Sequence, residues 1–419
     1  MDGPDYILST GELQRVVGEI VTTTPVTDIH THIYDTRFGD LLLWGVDELV
    51  TYHYLIAEVM RAEFGRTTPE EYYAMPKQAQ ADLIWQRLFL DNSPISEACR
   101  GPVTVLAALG LDIAGRDLNT MREYFAQRTA EEYIDEVFAL ANVKEVVMTN
   151  DPFDPLEAPV WEAGGEGDPR FKAALRLDGL IVRWEQTQPA LAAQGYDMAA
   201  DFSGNTFEEI QRFLADWKQK MNPVYMAVSL EESFTFPADD SQAKVIEGAI
   251  LPFAAREKLP FALMIGVKRL INPRLKLAGD GVGKCDIKAV EYLCANYQDV
   301  KFLVTLLSKE NQHELAVAAR KFPNLMPFGC WWFLNDPSLI DEMTRLRVEL
   351  LGLSFIPQHS DARILDQLIY KWSHFRAILT RILIEKYSDI MRAGWIPTRE
   401  EMQRDVEGLF GRNFWEFVK

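Results

Sequence analysis

Cysteine and histidine are both scarce in this chain. Its 419 residues include four cysteines, Cys99, Cys285, Cys294 and Cys330, and none forms a CxxC pair. That excludes a disulfide framework, and scattered thiols in a large acidic chain fit a reducing cytoplasm. Positive charge is short as well: 43 Lys and Arg stand against 62 Asp and Glu, for a formal net charge of -19. Such a surface repels phosphate, which argues against nucleic-acid or anionic-membrane partners. A small anionic substrate remains allowed, because a few arginines set the potential locally. No apolar run is long enough to span a bilayer. The start, Met1-Asp2-Gly3-Pro4-Asp5, lacks a basic region followed by an apolar stretch, so no signal peptide is expected. Low-complexity tracts and short-period repeats are absent too. What is present is a full core, with 48% hydrophobic and 25% charged residues.

Two of the six histidines stand one residue apart, at the end of Val26-Thr27-Asp28-Ile29-His30-Thr31-His32. Alternate side chains of a strand share a face, so His30 and His32 point the same way. Two imidazoles on one face at a strand end can ligate one divalent metal. The competing reading is a pair of hydrogen-bonded, partly buried histidines, and the rest of the chain must decide.

Residues 10–22 have the spacing of an amphipathic helix, with Leu13, Val16, Val17 and Ile20 on one side. The region 35–140 has almost no strand character and reads as a helical insertion after strand one. Beyond it, β-rich runs recur at 145–149, 173–177, 224–230, 261–265, 302–307, 325–333 and 354–358, most of them separated by helical stretches. The tail 398–418 reads as a final helix. Near-continuous apolar strands belong in a parallel sheet covered on both faces. Eight βα units predict an α/β (β/α)8 TIM barrel, one domain over 1–419, with the helical insertion inside it.

In such a barrel the chemistry gathers at the C-terminal strand ends. Strand one offers His30 and His32, and the insertion adds His53 and Tyr54. Strand two ends in Thr149-Asn150-Asp151-Pro152, strand three in Arg176 and Asp178. Strand five gives Met264, then Lys268 and Arg269; strand seven gives Trp331 and Trp332; strand eight gives His359, Asp361 and Arg363. Asp361 is the natural third ligand, since strands eight and one are neighbours on closure. A His/His/Asp set leaves open positions, which is the catalytic pattern. The plainer reading of Asp361 is a helix N-cap before Ala362–Leu365. The four cations Arg176, Lys268, Arg269 and Arg363 can converge on an anion, and arginine forks match a carboxylate. On a strand, one of the adjacent Trp331 and Trp332 faces the core and the other the helices. Gly279–Lys284 fails the phosphate-loop spacing and reads as a flexible loop.

Together these segments resemble the uronate isomerase (glucuronate isomerase) family, a divergent branch of the amidohydrolase superfamily. The resemblance rests on Thr27–His32, Thr51-Tyr52-His53-Tyr54 with Val59-Met60-Arg61, Met148–Pro152, Ala174–Asp178, Met264-Ile265-Gly266, Gly329-Cys330-Trp331-Trp332-Phe333 and His359-Ser360-Asp361-Ala362-Arg363. It implies one divalent metal ion, with zinc expected, on His30, His32 and Asp361. It places substrate contacts on His53, Tyr54, Arg176, Trp331 and Arg363. Some members carry a histidine where this chain has Met264, so that contact stays open. The implied reaction interconverts D-glucuronate with D-fructuronate, and D-galacturonate with D-tagaturonate, through a cis-enediol. Asp361 would be the base, with Tyr54 and Arg363 handling the proton between O1 and O2. A cytoplasmic homo-oligomer acting on a small hexuronate is expected.

The rival is a mononuclear metal-dependent hydrolase of the same superfamily. Such sites usually add histidines from strands five and six or a lysine from strand four, and none stands there in this sequence. A non-catalytic sugar-acid binder is the other alternative, disfavoured by Asp361, Tyr54 and Arg363 standing together.

Overall fold

The computed structural model describes residues 5–419; Met1–Pro4, read above for a leader, lie outside them. The sheet consists of β1 (Val26–Thr31), β2 (Val143–Asn150), β3 (Phe171–Arg176), β4 (Met226–Glu231), β5 (Phe261–Lys268), the two-residue β6 (Gly281–Val282), β7 (Phe302–Leu306) and β8 (Leu325–Pro327). The path β1-β2-β3-β4-β5-β7-β8 is parallel throughout, and helices fill most of the connections. Burial explains the composition of the strands: every residue of β1 and β7 is buried, and in β5 all but Lys268. Strands covered on both faces have no polar side to alternate with.

Three expectations need correction. Gly279–Lys284 is not a free loop, because β6 folds back antiparallel onto Val267 and Lys268. The run expected over 325–333 leaves the sheet after Pro327, which has no N–H to donate. Gly329 then turns at φ +66, and a Cβ there would meet His359 Nδ1 at 2.0 Å. The run 354–358 forms no ladder either, only one parallel bridge from Ile356 to Phe328.

The last segment nevertheless ties the two ends of the sheet together. Ile356 N donates to Pro327 O at 3.1 Å on one side. On the other, Asp361 N donates to His30 O at 3.2 Å and His32 N to Ala362 O at 2.7 Å. The sheet therefore curls into a barrel-like form, with residues 356–362 as an irregular link.

Between β1 and β2 the chain carries helices and no strand, from Val46–Val50 to Ala130–Ala141. The long helix Gln367–Arg392 packs against Thr10–Thr23, Glu97–Ala108, Ala130–Ala141 and Pro337–Leu351. Short helices at Ala158–Ala163, Asp178–Val182 and Trp184–Ala193 were not expected; Pro159 and Pro189 mask two of them. No helix among the described residues is long and apolar enough to cross a membrane.

Asp366 docks this helical region onto the long helix. It is fully buried and accepts from Gly45 N at 3.0 Å and Tyr133 Oη at 2.7 Å. Each orphaned buried donor costs about 1–3 kcal/mol. Asp366→Ala should therefore lower the unfolding free energy by about 2–6 kcal/mol in urea titrations. Burial pushes the Asp366 carboxyl up to about 6 from 3.8. A raised folded pKa favours the fold most below the unfolded value, and that contribution is lost as pH rises through the folded one. The penalty of Asp366→Ala should thus shrink between about pH 4 and pH 7, and a penalty growing with pH would contradict this account.

Candidate active site

The end of β1 and the 356–362 link bring three metal-ligating groups together. Asp361 Oδ1 stands 3.7 Å from His30 Nε2 and 3.5 Å from His32 Nε2. Two donors about 2.1 Å from one ion, at a tetrahedral angle, lie about 3.4 Å apart. All three ligand atoms fall within 4.8 Å of one another, and no other such donor group occurs among the described residues. Asp361 is no N-cap: the helix starts at Gln367, and Asp361 itself adopts φ +52.

The surroundings set the chemical state of these ligands. Tyr225 Oη donates to Ile29 O at 2.7 Å and stands 3.2 Å from His30 Nδ1. With its proton engaged there, the phenol accepts from His30 Nδ1–H. Thr149 Oγ1 lies 3.2 Å from the same nitrogen. Nε2 is then the bare nitrogen, turned towards His32 and Asp361. Burial, followed by the neighbouring His32, brings the His30 pKa down to about 3. Burial and then Arg363 hold His32 well below its ordinary value too. Neutral imidazoles of fixed tautomer are the form that binds metal, so the residues present fit a divalent ion.

A cavity opens on this group. Among the sequence candidates, His53, Arg176, Met264, Trp331 and Arg363 line it with the three ligands. Tyr54 does not; Tyr52 forms that wall. Tyr52 precedes the His53–Ala62 helix in extended backbone, at φ -63 and ψ 145, while Tyr54 turns away in the first helical turn. The two rings remain close, with centroids 4.9 Å apart. Both Trp331 and Trp332 face the cavity, against the expectation that a strand would separate them. The backbone is no longer a strand there, and Trp332 takes φ +48.

The four cations do not converge equally. Arg176 grips Asp178 with Nε and Nη2, both at 2.9 Å, which leaves Nη1 outside the fork. Arg363 lines the cavity and makes no ion pair within 4.0 Å among the described residues. Arg269 reaches the cavity tethered to Asp280 at 2.7 Å, and Lys268 is outside it near Glu232 at 3.9 Å. His359 stays beneath the site, its ring centroid 5.1 Å from that of His30.

Sequence reasoning passed over Tyr52, Asp28 and Tyr225. A charged residue inside an otherwise apolar strand was a signal for Asp28. Tyr225 gave none, since a tyrosine beside a strand is ordinary core.

No protein-family model and no curated protein sequence matches the chain. Solved structures do. A uronate isomerase from Bacillus halodurans C-125 is 54% identical, with TM-score 0.97, over 98% of this chain and 97% of that one. The chain belongs to the uronate isomerase family. A uronate isomerase from Thermotoga maritima has the same fold at 16% identity, TM-score 0.79, covering 99% of this chain and 100% of its own. So does a glucuronate isomerase from Caulobacter crescentus, at 13% identity and TM-score 0.75, covering 98% and 94%.

The ligand geometry makes a prediction testable by elemental analysis. Purified protein should carry about one divalent ion per chain, and His30→Ala/His32→Ala should lose it. Tyr225→Phe removes the acceptor at Nδ1 and should weaken metal retention about 10- to 100-fold in chelator competition. Equal retention in all three proteins would remove the ion from this site.

Proposed function

We propose that this uronate isomerase family member interconverts aldose and ketose hexuronates: D-glucuronate with D-fructuronate, and D-galacturonate with D-tagaturonate, in hexuronate catabolism. The observation that carries the reading is 54% identity to a uronate isomerase across nearly the whole chain. The cavity supports it. His53 Nε2 and Trp332 Nε1 are buried without a hydrogen-bond partner, which suits a ligand rich in hydroxyls. Arg176 Nη1 supplies a fork edge for the carboxylate.

A bound divalent ion, zinc in this proposal, would polarise and orient the sugar oxygens. Asp361 would take the C2 proton and return it to C1, giving the cis-enediol between. Burial raises the Asp361 pKa, while His30 and Arg363 oppose that rise. Arg363 would stabilise charge as the proton passes between O1 and O2. Tyr54, one ring behind Tyr52, would act in that transfer from the second row. Trp331, His53 and Met264 would bound the sugar.

In the same proposal the curled sheet is a closed (β/α)8 barrel in one domain over 1–419. Residues 35–140 are then a helical insertion that brings His53 and Tyr54 to the site. Four free, buried thiols support a cytoplasmic location. A homo-oligomer is proposed on the family reading, with exposed Phe64 and Ile95 as apolar surface available to it. The hydrolase alternative is not favoured, since Met264 stands where a further ligand would be needed.

A panel of uronates and neutral aldoses, followed for ketose formation, tests the function. A charge-assisted hydrogen bond contributes about 1.5–3 kcal/mol. Glucose should therefore be a poor substrate, and Arg176→Met should raise KM for uronates about tenfold or more. Turnover of glucose at the rate of glucuronate would refute the carboxylate assignment.

Asp361→Asn separates the base from the ligand, because it keeps shape and a neutral oxygen. Loss of a general base costs about 10²–10⁴ in rate. The metal-loaded variant should be nearly inactive, and wild type in D₂O should place deuterium at C1 of the ketose. A metal-loaded Asp361→Asn enzyme within about tenfold of wild type, with no label at C1, would favour hydride transfer instead.

A further inference from the structure

Lys371 lies in the Gln367–Arg392 helix and is 5% exposed. No carboxylate comes within 4.0 Å of its ammonium among the described residues. Its neighbours are aromatic: Nζ stands 5.9 Å from the Tyr54 ring centroid and 5.6 Å from that of Tyr370. Burying an ammonium without an ion pair is strongly unfavourable, so a fold that needed only packing would place a neutral chain there.

The placement is directional. Gln367, one turn earlier on the same helical face, accepts from Arg363 N at 2.9 Å and Ile364 N at 3.2 Å. Trp372, the next residue, donates to Asp28 Oδ2 at 2.9 Å. This turn of the helix is therefore docked on the segment that carries Asp361 and Arg363, and on β1. The ammonium lies near Tyr54 of the helical region and Tyr370 of its own helix.

We propose that Lys371 is a positioning residue for the isomerisation. Its charge, held behind Tyr54, stabilises the negative charge that develops on the substrate oxygens as the C2 proton leaves. The inference rests on the isomerase reading above. A fixed charge in a water-poor interior acts over several ångströms, and it is in place before reaction, so no reorganisation opposes it. The direction of its influence agrees: Lys371 counts among the cations that keep His53 and His359 neutral. Burial lowers its own pKa to about 8, and Asp361, then Glu97 and Asp28, are the charges that oppose the fall.

The test compares Lys371→Met, neutral and similar in length, with Lys371→Arg, which keeps the charge. kcat and KM on D-glucuronate, metal content and thermal unfolding are measured for each. Lys371→Met should lose about 10- to 100-fold in kcat with KM within about threefold, at full metal content. Its Tm should equal or exceed that of wild type, because an uncompensated buried charge has gone. Lys371→Arg should recover most of the lost kcat. If Lys371→Met does not fold, Lys371→Gln carries the same expectation. A neutral variant with kcat within about twofold of wild type would overturn the inference, and so would a fall in Tm that parallels the lost activity or failure of both neutral variants to fold. A metal-loaded wild type inactive on every uronate would overturn the isomerase reading and this inference with it; an active wild type beside an unimpaired Lys371→Met would overturn the inference alone.

Discussion

The site depends on one buried carboxylate, that of Asp28. Its Oδ1 accepts from Ser360 N at 3.1 Å, and its Oδ2 from Trp372 Nε1 at 2.9 Å. Those two bonds join β1 to the segment bearing Asp361 and to the longest helix. The sheet has no regular eighth ladder to make that junction, since the closing segment forms only one bridge, from Ile356 to Phe328 just past β8. Asp28 substitutes side-chain hydrogen bonds for the missing strand pairing. Burial pushes its carboxyl up to about 6, and the bonds from Ser360 and Trp372 hold it from rising further. They act beside the backbone bonds from Asp361 N to His30 O and from His32 N to Ala362 O in fixing Asp361 opposite His30 and His32. A donor set spread over distant segments of sequence would lose the short distances that one ion requires.

The second constraint is local charge in an acidic molecule. A net charge of -19 would repel a uronate at long range, yet the cavity wall is cationic. Arg176 and Arg269 reach it with their charge partly balanced, by Asp178 and Asp280. Arg363 reaches it without an ion pair. Arg176 is held on Asp178 through two nitrogens, and Arg269 on Asp280 through one.

The sequence made the parallel sheet readable because burial on both faces leaves strands such as Phe302–Leu306 continuously apolar. The paired histidines were readable because a strand's alternation is rigid over two residues. Asp361 followed from barrel closure, although the closing segment proved irregular. The rest depended on backbone breaks that local sequence does not announce. Phe328 onward reads as strand by side-chain type, but Pro327 and Gly329 end it, and Gly329 is required by the ring of His359 beneath it. Tyr52 and Tyr54 are alike in sequence, and only the onset of the His53–Ala62 helix decides which faces the cavity. Lys371 looks like a polar position on an amphipathic helix until the helix is seen to be covered on that side too.

Irregular backbone at the site is therefore part of how it works. In a strand, Trp331 and Trp332 would point to opposite faces. With Trp332 at φ +48, both indoles reach the cavity. With Asp361 at φ +52, its N–H bonds to His30 O while its carboxylate turns towards the imidazoles. Such conformations are disfavoured for residues with a side chain, and they persist only where the surroundings overdetermine them. Asp28, Asn335 and Gln367 supply that surrounding: Asp28 holds Ser360 N, Asn335 Nδ2 donates to His359 O and Ser360 O at 3.2 Å each, and Gln367 holds Arg363 N. Every peptide from 359 to 363 is thus anchored within one or two residues by a side chain or by β1. The segment gives up ladder pairing and retains fixed geometry, and on this irregular link Asp361 Oδ1 is held 3.7 Å from His30 Nε2 and 3.5 Å from His32 Nε2.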